Sequence, residues 1–143
     1  MLPAFWFSCL VSLAVDQITK FWALAYLSQP VVVIPGLLAL RCVRNPGAAF
    51  GFLAYQTPLL ILIAAIASLA LLLGYKRLLL APSVVRWGLG LFLGGTLGNL
   101  VDRVRFGYVV DFIDLRFWPV FNLADVAIVT GMGLILWYWW RGR

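Results

Sequence analysis

The sequence contains no histidine, no glutamate and only five aspartates. The lack of histidine excludes the HExxH zinc motif and any Ser-His or Cys-His catalytic couple. Neither a P-loop nor a GxGxxG motif is present. The two cysteines, Cys9 and Cys42, lack metal-ligand spacing and are expected to be small apolar fillers. Any acid-base chemistry would therefore have to use aspartate.

Charge of either sign is scarce in a chain that is 64% hydrophobic, 11% charged and has a mean hydropathy of +1.02 over 143 residues. This composition is typical of a polytopic membrane protein. The eleven Lys and Arg exceed the five Asp by six charges. Because these charges flank apolar spans, we expect membrane lipids with anionic headgroups as neighbours and no nucleic acid.

Four apolar spans predict an all-α membrane protein folded as a single domain over residues 1–143. They cover residues 4–26, 57–75, 84–101 and 123–140, or roughly 27 to 35 Å each. An even number of crossings places both termini on one side, together with a basic set comprising Lys76, Arg77, Arg86, Arg141 and Arg143. Basic loops usually face the cytoplasm. An equal set lies on the other side, so charge alone orients the chain weakly: Arg41, Arg44, Arg103, Arg105 and Arg116.

Two stretches outside the spans have their own character. Residues 30–56 alternate β-branched runs with Pro-Gly breakers, which predicts a small extracytoplasmic β-rich element. Residues 103–119 mix charged and aromatic side chains, which suits a segment at the lipid headgroup boundary.

Asp16 and Lys20 lie four residues apart on one face of the first span. An isolated charge near the middle of a membrane costs roughly 2.5 to 3.5 kcal/mol, so both should face the interior of the bundle. An ion pair that organises packing and a substrate-facing role are equally compatible with this pattern.

A second polar group, Asn99, Asp102 and Arg103, is expected at the outer end of the third span. These side chains could hold a substrate carbonyl or orient a carboxylate. Simple termination of the helix at the interface would also explain them.

Asp111 and Asp125 form the candidate catalytic pair. Asn122 could cap the last span and place Asp125 in its positive first turn. Capping would explain Asn122 and Asp125 without any chemistry. Capping does not explain Asp111 in the apolar run Val110-Asp111-Phe112-Ile113. Two close carboxylates tend to share one proton, so one can activate water while the other polarises a carbonyl. The helix dipole favours Asp125 as the base, and Asp114 is a weaker rival because Leu115-Arg116 suggests a surface pair on a helix.

Five ordered motifs resemble those of the lipoprotein signal peptidases, the signal peptidase II family. They are Asp16-Gln17-Ile18-Thr19-Lys20, Asn45-Pro46-Gly47-Ala48-Ala49-Phe50-Gly51, Gly94-Gly95-Thr96-Leu97-Gly98-Asn99-Leu100-Val101-Asp102-Arg103, Val110-Asp111-Phe112 and Phe121-Asn122-Leu123-Ala124-Asp125.

The resemblance implies an aspartic endopeptidase of the bacterial inner membrane, with its active site near the outer face. It would remove signal peptides from prolipoproteins by cutting before a diacylglyceryl-modified cysteine. Asp111 and Asp125 would be the catalytic dyad, and the β-rich element would cover the site. The supporting residues would be Asn45, Asn99, Arg103, Asn122, Asp16 and Lys20. Pro46 departs from the family, which often has a small hydroxyl residue there.

No metal or other cofactor is expected, and the protein is expected to act as a monomer. The main alternative is a small proton-coupled transporter or channel, in which Asp16, Lys20 and Asp125 form a relay. A structural membrane subunit, whose polar side chains only pack helices, is a further alternative.

Overall fold

The computed structural model describes residues 3–47, 53–74, 77 and 80–142. Four long helices are α1 (Pro3–Tyr26), α2 (Thr57–Leu73), α3 (Ser83–Phe106) and α4 (Leu123–Arg141). Three strands are β1 (Val31–Ile34), β2 (Leu38–Asn45) and β3 (Val109–Asp114). Some predicted features lie outside the described residues. They are residue 75 at the end of the predicted second span, residues 48–51 of the motif that begins at Asn45, and the basic residues Lys76 and Arg143.

Within the described part of the chain, three helices are long and apolar enough to cross a membrane: Ala4–Tyr26, Ser83–Phe106 and Leu123–Arg141. Each matches a predicted span. The remaining helix, α2, has 17 residues and a length of about 25 Å, so the fourth crossing stays a prediction.

Helix α3 extends past residue 101, the predicted end of the third span, and continues to Phe106. Gly107 ends the helix in a left-handed conformation with φ +79°, and its N–H donates to the Arg103 carbonyl at 2.9 Å. Asn99, Asp102 and Arg103 consequently lie on a continuous helix. Arg103 lies in the last turn of this helix.

The strands form one antiparallel sheet in the order β1-β2-β3. The predicted β-rich element is confirmed for β1 and β2, but the third strand comes from residues 109–114, which we interpreted as a headgroup-boundary segment. The β-branched run around Asp111 favours a strand, and pairing with β2 satisfies its backbone groups. Asp111 lies opposite Val43, and Ile113 also bridges to Phe121 just before α4.

Helix α3 lies between α1 and α4 and packs closely on both. Any Cβ at Gly90 would meet the Phe5 carbonyl of α1, and one at Gly95 would meet the Ala124 carbonyl of α4. Small residues allow such close helix contacts in membranes. Two apolar clusters support this arrangement: Phe5, Cys9 and Leu93 between α1 and α3, and Ala23, Leu27 and Phe112 beneath the sheet.

Candidate active site

The candidate site lies where the sheet meets the end of the helix bundle. Helices α1 and α3 end there, and α4 begins there. Strand β3 supplies Asp111, and the first turn of α4 supplies Asp125. Both aspartates line one open cavity of about 640 Å³. The predicted dyad is thus brought together from two elements.

Asp111 is buried, with 2% of its surface exposed. Since Asp111 pairs with Val43, the side chain of Asn45 lies diagonally across the same face of the sheet. Nδ2 of Asn45 donates to Oδ2 of Asp111 at 2.8 Å, and Nδ2 of Asn122 donates to Oδ1 at 2.7 Å. Both carboxylate oxygens therefore accept an amide N–H.

Burial raises the pKa of Asp111 to about 7, and the nearby charge of Asp125 also raises it. The hydrogen bonds from Asn45 and Asn122 oppose this change because they stabilise the ionised form. Around neutral pH, Asp111 can accordingly hold or release a proton.

Asp125 is held by a capping box at the start of α4. Its backbone N–H donates to Oδ1 of Asn122 at 3.0 Å, and its Oδ2 accepts the backbone N–H of Asn122 at 3.2 Å. Oδ1 of Asp125 accepts a third hydrogen bond, from Nδ2 of Asn99 at 2.9 Å. The capping explanation is correct, and it also fixes the carboxylate at the edge of the cavity.

Two amides link the aspartates. Nδ2 of Asn122, already bonded to Asp111, lies 3.1 Å from Oδ1 of Asn99, whose Nδ2 contacts Asp125. Asn122 is fully buried and Asn99 is 8% exposed. This chain of side chains gives the carboxylates a fixed arrangement.

Arg103 extends along the cavity from α3. One Nη donates to the Gly47 carbonyl at 2.9 Å, and the other lies 3.4 Å from the Asn99 carbonyl oxygen. Its positive charge interacts with the carboxylates of Asp125 and Asp111. Arg103 therefore ties the chain after β2 to the site and supplies it with a cation.

The cavity wall has a polar end and an apolar side. Its polar members include the predicted residues Asn45, Asn99, Arg103, Asp111 and Asp125. The other lining residues are Val43, Arg44, Pro46, Gly47, Ala64, Thr96, Val109, Trp118, Pro119, Val120, Phe121, Ile128 and Val129. The segment 118–121 forms a wall of this cavity.

Asp16 and Lys20 lie behind this cavity and do not line it. They form the expected ion pair, with Lys20 Nζ 2.9 Å from Asp16 Oδ2. Lys20 also contacts Asp102 at 2.9 Å and Asn99 Oδ1 at 2.9 Å. Of the two roles considered for this pair, the geometry favours the internal one. Gln17, which joins the same group, was missed, although a polar residue in an apolar span was its signal.

Asp114 lies on a strand, so its expected placement on a helix is wrong, but the expected pairing with Arg116 is present, with Nη1 of Arg116 3.9 Å from Oδ2 of Asp114. Asp114 ends β3, is 3% exposed, and accepts Nε of Arg41 at 2.7 Å. It also accepts the backbone N–H of Arg116 at 2.8 Å. This backbone bond and the Arg41 guanidinium hold the pKa of Asp114 below its usual range. Asp114 fixes the turn after β3 and is not among the cavity-lining residues.

Comparisons with known proteins agree with this architecture. The family model described as "Signal peptidase (SPase) II" matches residues 8–141. The lipoprotein signal peptidase of Moorella thermoacetica is 45% identical over 130 residues, covering 90% of this chain and 87% of that protein. The corresponding protein of Pelotomaculum thermopropionicum is 46% identical over 129 residues, covering 89% and 85%.

A solved structure described as a bacterial membrane enzyme superposes with a TM-score of 0.85 at 30% identity. The match covers 94% of this chain and 86% of that one. A second such structure gives a TM-score of 0.78 at 32% identity, covering 91% and 88%. The fold and the family match are those of a bacterial integral membrane peptidase. The chain belongs to the signal peptidase II family.

Proposed function

We propose that this protein is an aspartic endopeptidase that removes signal peptides from diacylglyceryl-modified bacterial prolipoproteins. The observation that carries the proposal is the placement of Asp111 and Asp125 on one cavity, with Asp111 having a pKa of about 7. Family membership supports a peptidase acting on prolipoproteins. An aspartate pair can hydrolyse an amide with water alone.

In the proposed reaction, Asp125 is the base, since the positive end of α4 favours its carboxylate. Asp125 takes a proton from water as the water oxygen bonds to the scissile carbonyl carbon. Asp111 donates its proton to the carbonyl oxygen. The tetrahedral intermediate then collapses, the C–N bond breaks, and the leaving nitrogen takes the proton from Asp125. Asp111 recovers its proton as the new carboxyl group forms.

The supporting residues have distinct proposed roles. Asn45 and Asn122 hold Asp111, and Asn99 holds Asp125. Arg103 is placed to steady substrate carbonyls along the cavity. The apolar side of the cavity, where Ala64, Ile128 and Val129 lie, suits a lipid chain that remains in the bilayer.

We also infer that both termini are cytoplasmic and that the site lies at the outer face. The site gathers where α1 and α3 end, which is the end of the bundle opposite to the start of α1 and the end of α4. Cysteine placed at Gln29 or Gly142 in a protein without Cys9 and Cys42 tests this. An impermeant thiol reagent should label position 29 alone from outside the cell, and the reverse pattern would invert the topology.

The decisive experiment is cleavage of a synthetic diacylglyceryl-modified prolipoprotein by purified protein, with a metal chelator present. Asp111→Asn and Asp125→Asn should each lower kcat by about 10³-fold or more, as loss of an acid-base group does. Asp114→Asn is the matched control, since it removes an aspartate from the same strand but outside the cavity. Equal losses of activity in all three variants would refute the dyad. A folded wild type that does not cleave would favour the transporter or channel alternative, which a proton-flux assay tests.

A further inference from the structure

A buried ion cluster joins α1 to α3 behind the cavity. We call it the Lys20 cluster; its members are Asp16, Lys20 and Asp102, and Gln17 lies beside it. Lys20 Nζ lies 2.9 Å from Asp16 Oδ2, from Asp102 Oδ2 and from Oδ1 of Asn99. An ammonium group has three donors, so these three acceptors satisfy it. Both carboxylates and the lysine are at most 2% exposed.

Each carboxylate of the cluster also accepts a backbone N–H from outside it. Oδ2 of Asp102 accepts the N–H of Val110 at 3.0 Å, and Oδ1 of Asp16 accepts the N–H of Ala124 at 2.9 Å. Val110 directly precedes Asp111, and Ala124 directly precedes Asp125. A single ammonium thus bridges the two carboxylates that anchor the peptide groups leading into the dyad.

A third connection runs through the side chain of Asn99. Because the ammonium of Lys20 can only donate, it fixes the oxygen of the Asn99 amide toward itself. The amide nitrogen then faces Oδ1 of Asp125 at 2.9 Å. Reversing this amide would place its oxygen against the carboxylate.

We infer that the Lys20 cluster sets the separation and orientation of the two dyad carboxylates, with Lys20, Asp16 and Asp102 as positioning residues. This inference rests on the proposed function of Asp111 and Asp125. Helix packing alone would need only a contact between α1 and α3. The bonds to Val110, Ala124 and Asn99 instead lead to the elements that carry the dyad.

The test compares Lys20→Met with Gln17→Leu as a matched control. Gln17 donates to Asp16 Oδ2, Asp102 Oδ1 and the Gly98 carbonyl, but it contacts neither Asn99 nor the two backbone groups. Lys20→Met should lower kcat by about 100-fold, the effect of a shift near 1 Å at a reacting centre, and leave KM unchanged. Hydrogen exchange at Val110 and Ala124 should become faster. Gln17→Leu should retain most of the kcat and the slow exchange.

If Lys20→Met does not fold, a milder variant tests the same inference. Asp102→Asn keeps an oxygen that can accept the Val110 N–H but loses its charge. It should speed exchange at Val110 more than at Ala124 and lower kcat. Wild-type exchange and kcat in a folded Asp102→Asn protein would overturn the inference, as would equal effects from Gln17→Leu. Because hydrogen exchange requires no substrate, it tests the positioning role even if the wild type does not cleave the prolipoprotein.

Discussion

Nδ2 of Asn122 lies 2.7 Å from Oδ1 of Asp111, although Asn122 is also the N-cap of α4, the helix whose first turn contains Asp125. One side chain therefore stabilises a helix and contacts a carboxylate from another element. Its side-chain oxygen accepts the Asp125 N–H, and its side-chain nitrogen donates to Oδ1 of Asp111. The two contributions can be separated by substitution.

Asn122→Ala should lose both contributions, whereas Asn122→Ser should keep the cap and lose the contacts of Nδ2 with Asp111, Asn99 and the Val110 carbonyl. Serine caps helices about as well as asparagine, and removing a cap costs about 1 kcal/mol. We expect Asn122→Ser to melt close to the wild type and Asn122→Ala to melt lower, while both lose at least about 100-fold in kcat. Thermal unfolding and initial cleavage rates measure these effects. Full activity in Asn122→Ser would show that the contact with Asp111 is dispensable.

The pH dependence of cleavage should report the protonation of Asp111. If the protonated form donates to the substrate carbonyl, kcat falls as the pH rises through about 7, because burial places the pKa there. The hydrogen bond from Asn45 lowers that pKa, so Asn45→Ala should raise it and move the alkaline limb to higher pH. A pH-rate profile of each protein measures the shift.

Arg44→Gln is the control for this profile. Arg44 also lines the cavity, but its guanidinium lies over the ring of Tyr108 with 5.3 Å to the centroid. We expect the alkaline limb of the Arg44→Gln profile to match that of the wild type. An unchanged limb in Asn45→Ala would mean that another group controls the profile.

Asp114 should support stability and not catalysis. Its pKa is held below the usual range, so its contribution is present at neutral pH and is lost as the pH falls below about 4. Asp114→Asn should lower the melting temperature at pH 7 by about 2 to 4 °C, with cleavage largely retained. The difference from wild type should shrink in acid. A difference that stays constant across this range would assign it to packing.

The apolar stretches predicted the positions of the four long helices, because a helix that crosses a membrane needs a long apolar run. Among the described residues, three of these helices are long and apolar enough to cross. The pairing of Asp111 with Asp125 was also predicted, from the scarcity of other ionisable groups and from the resemblance. Asp16 and Lys20 were placed correctly in the interior, since a lone charge facing lipid is costly.

Strand β3 and the partners of Lys20 were not predicted. The β-branched residues of 109–114 favour a strand, but the edge of β2 with which they pair is not visible in a local window. Likewise, the contact of Lys20 with Asp102 joins residues 82 positions apart in sequence, through the packing of α1 on α3. Such contacts depend on tertiary structure, which spacing along one helix does not specify.

The contact between α3 and α4 gives a final prediction, for Gly95→Ala. A Cβ at Gly95 would meet the Ala124 carbonyl and come within 2.9 Å of Cγ1 of Ile128. Overpacking of this kind costs about 1 to 3 kcal/mol and would displace the first turn of α4, where Asp125 lies. We expect both the melting temperature and kcat to fall. Gly133→Ala on the same helix as Asp125 is the control, because nothing lies within 4 Å of its added Cβ. It should be neutral or slightly stabilising, since alanine favours a helix over glycine by about 1 kcal/mol. Equal behaviour of the two variants would show that α3 and α4 do not require this close contact.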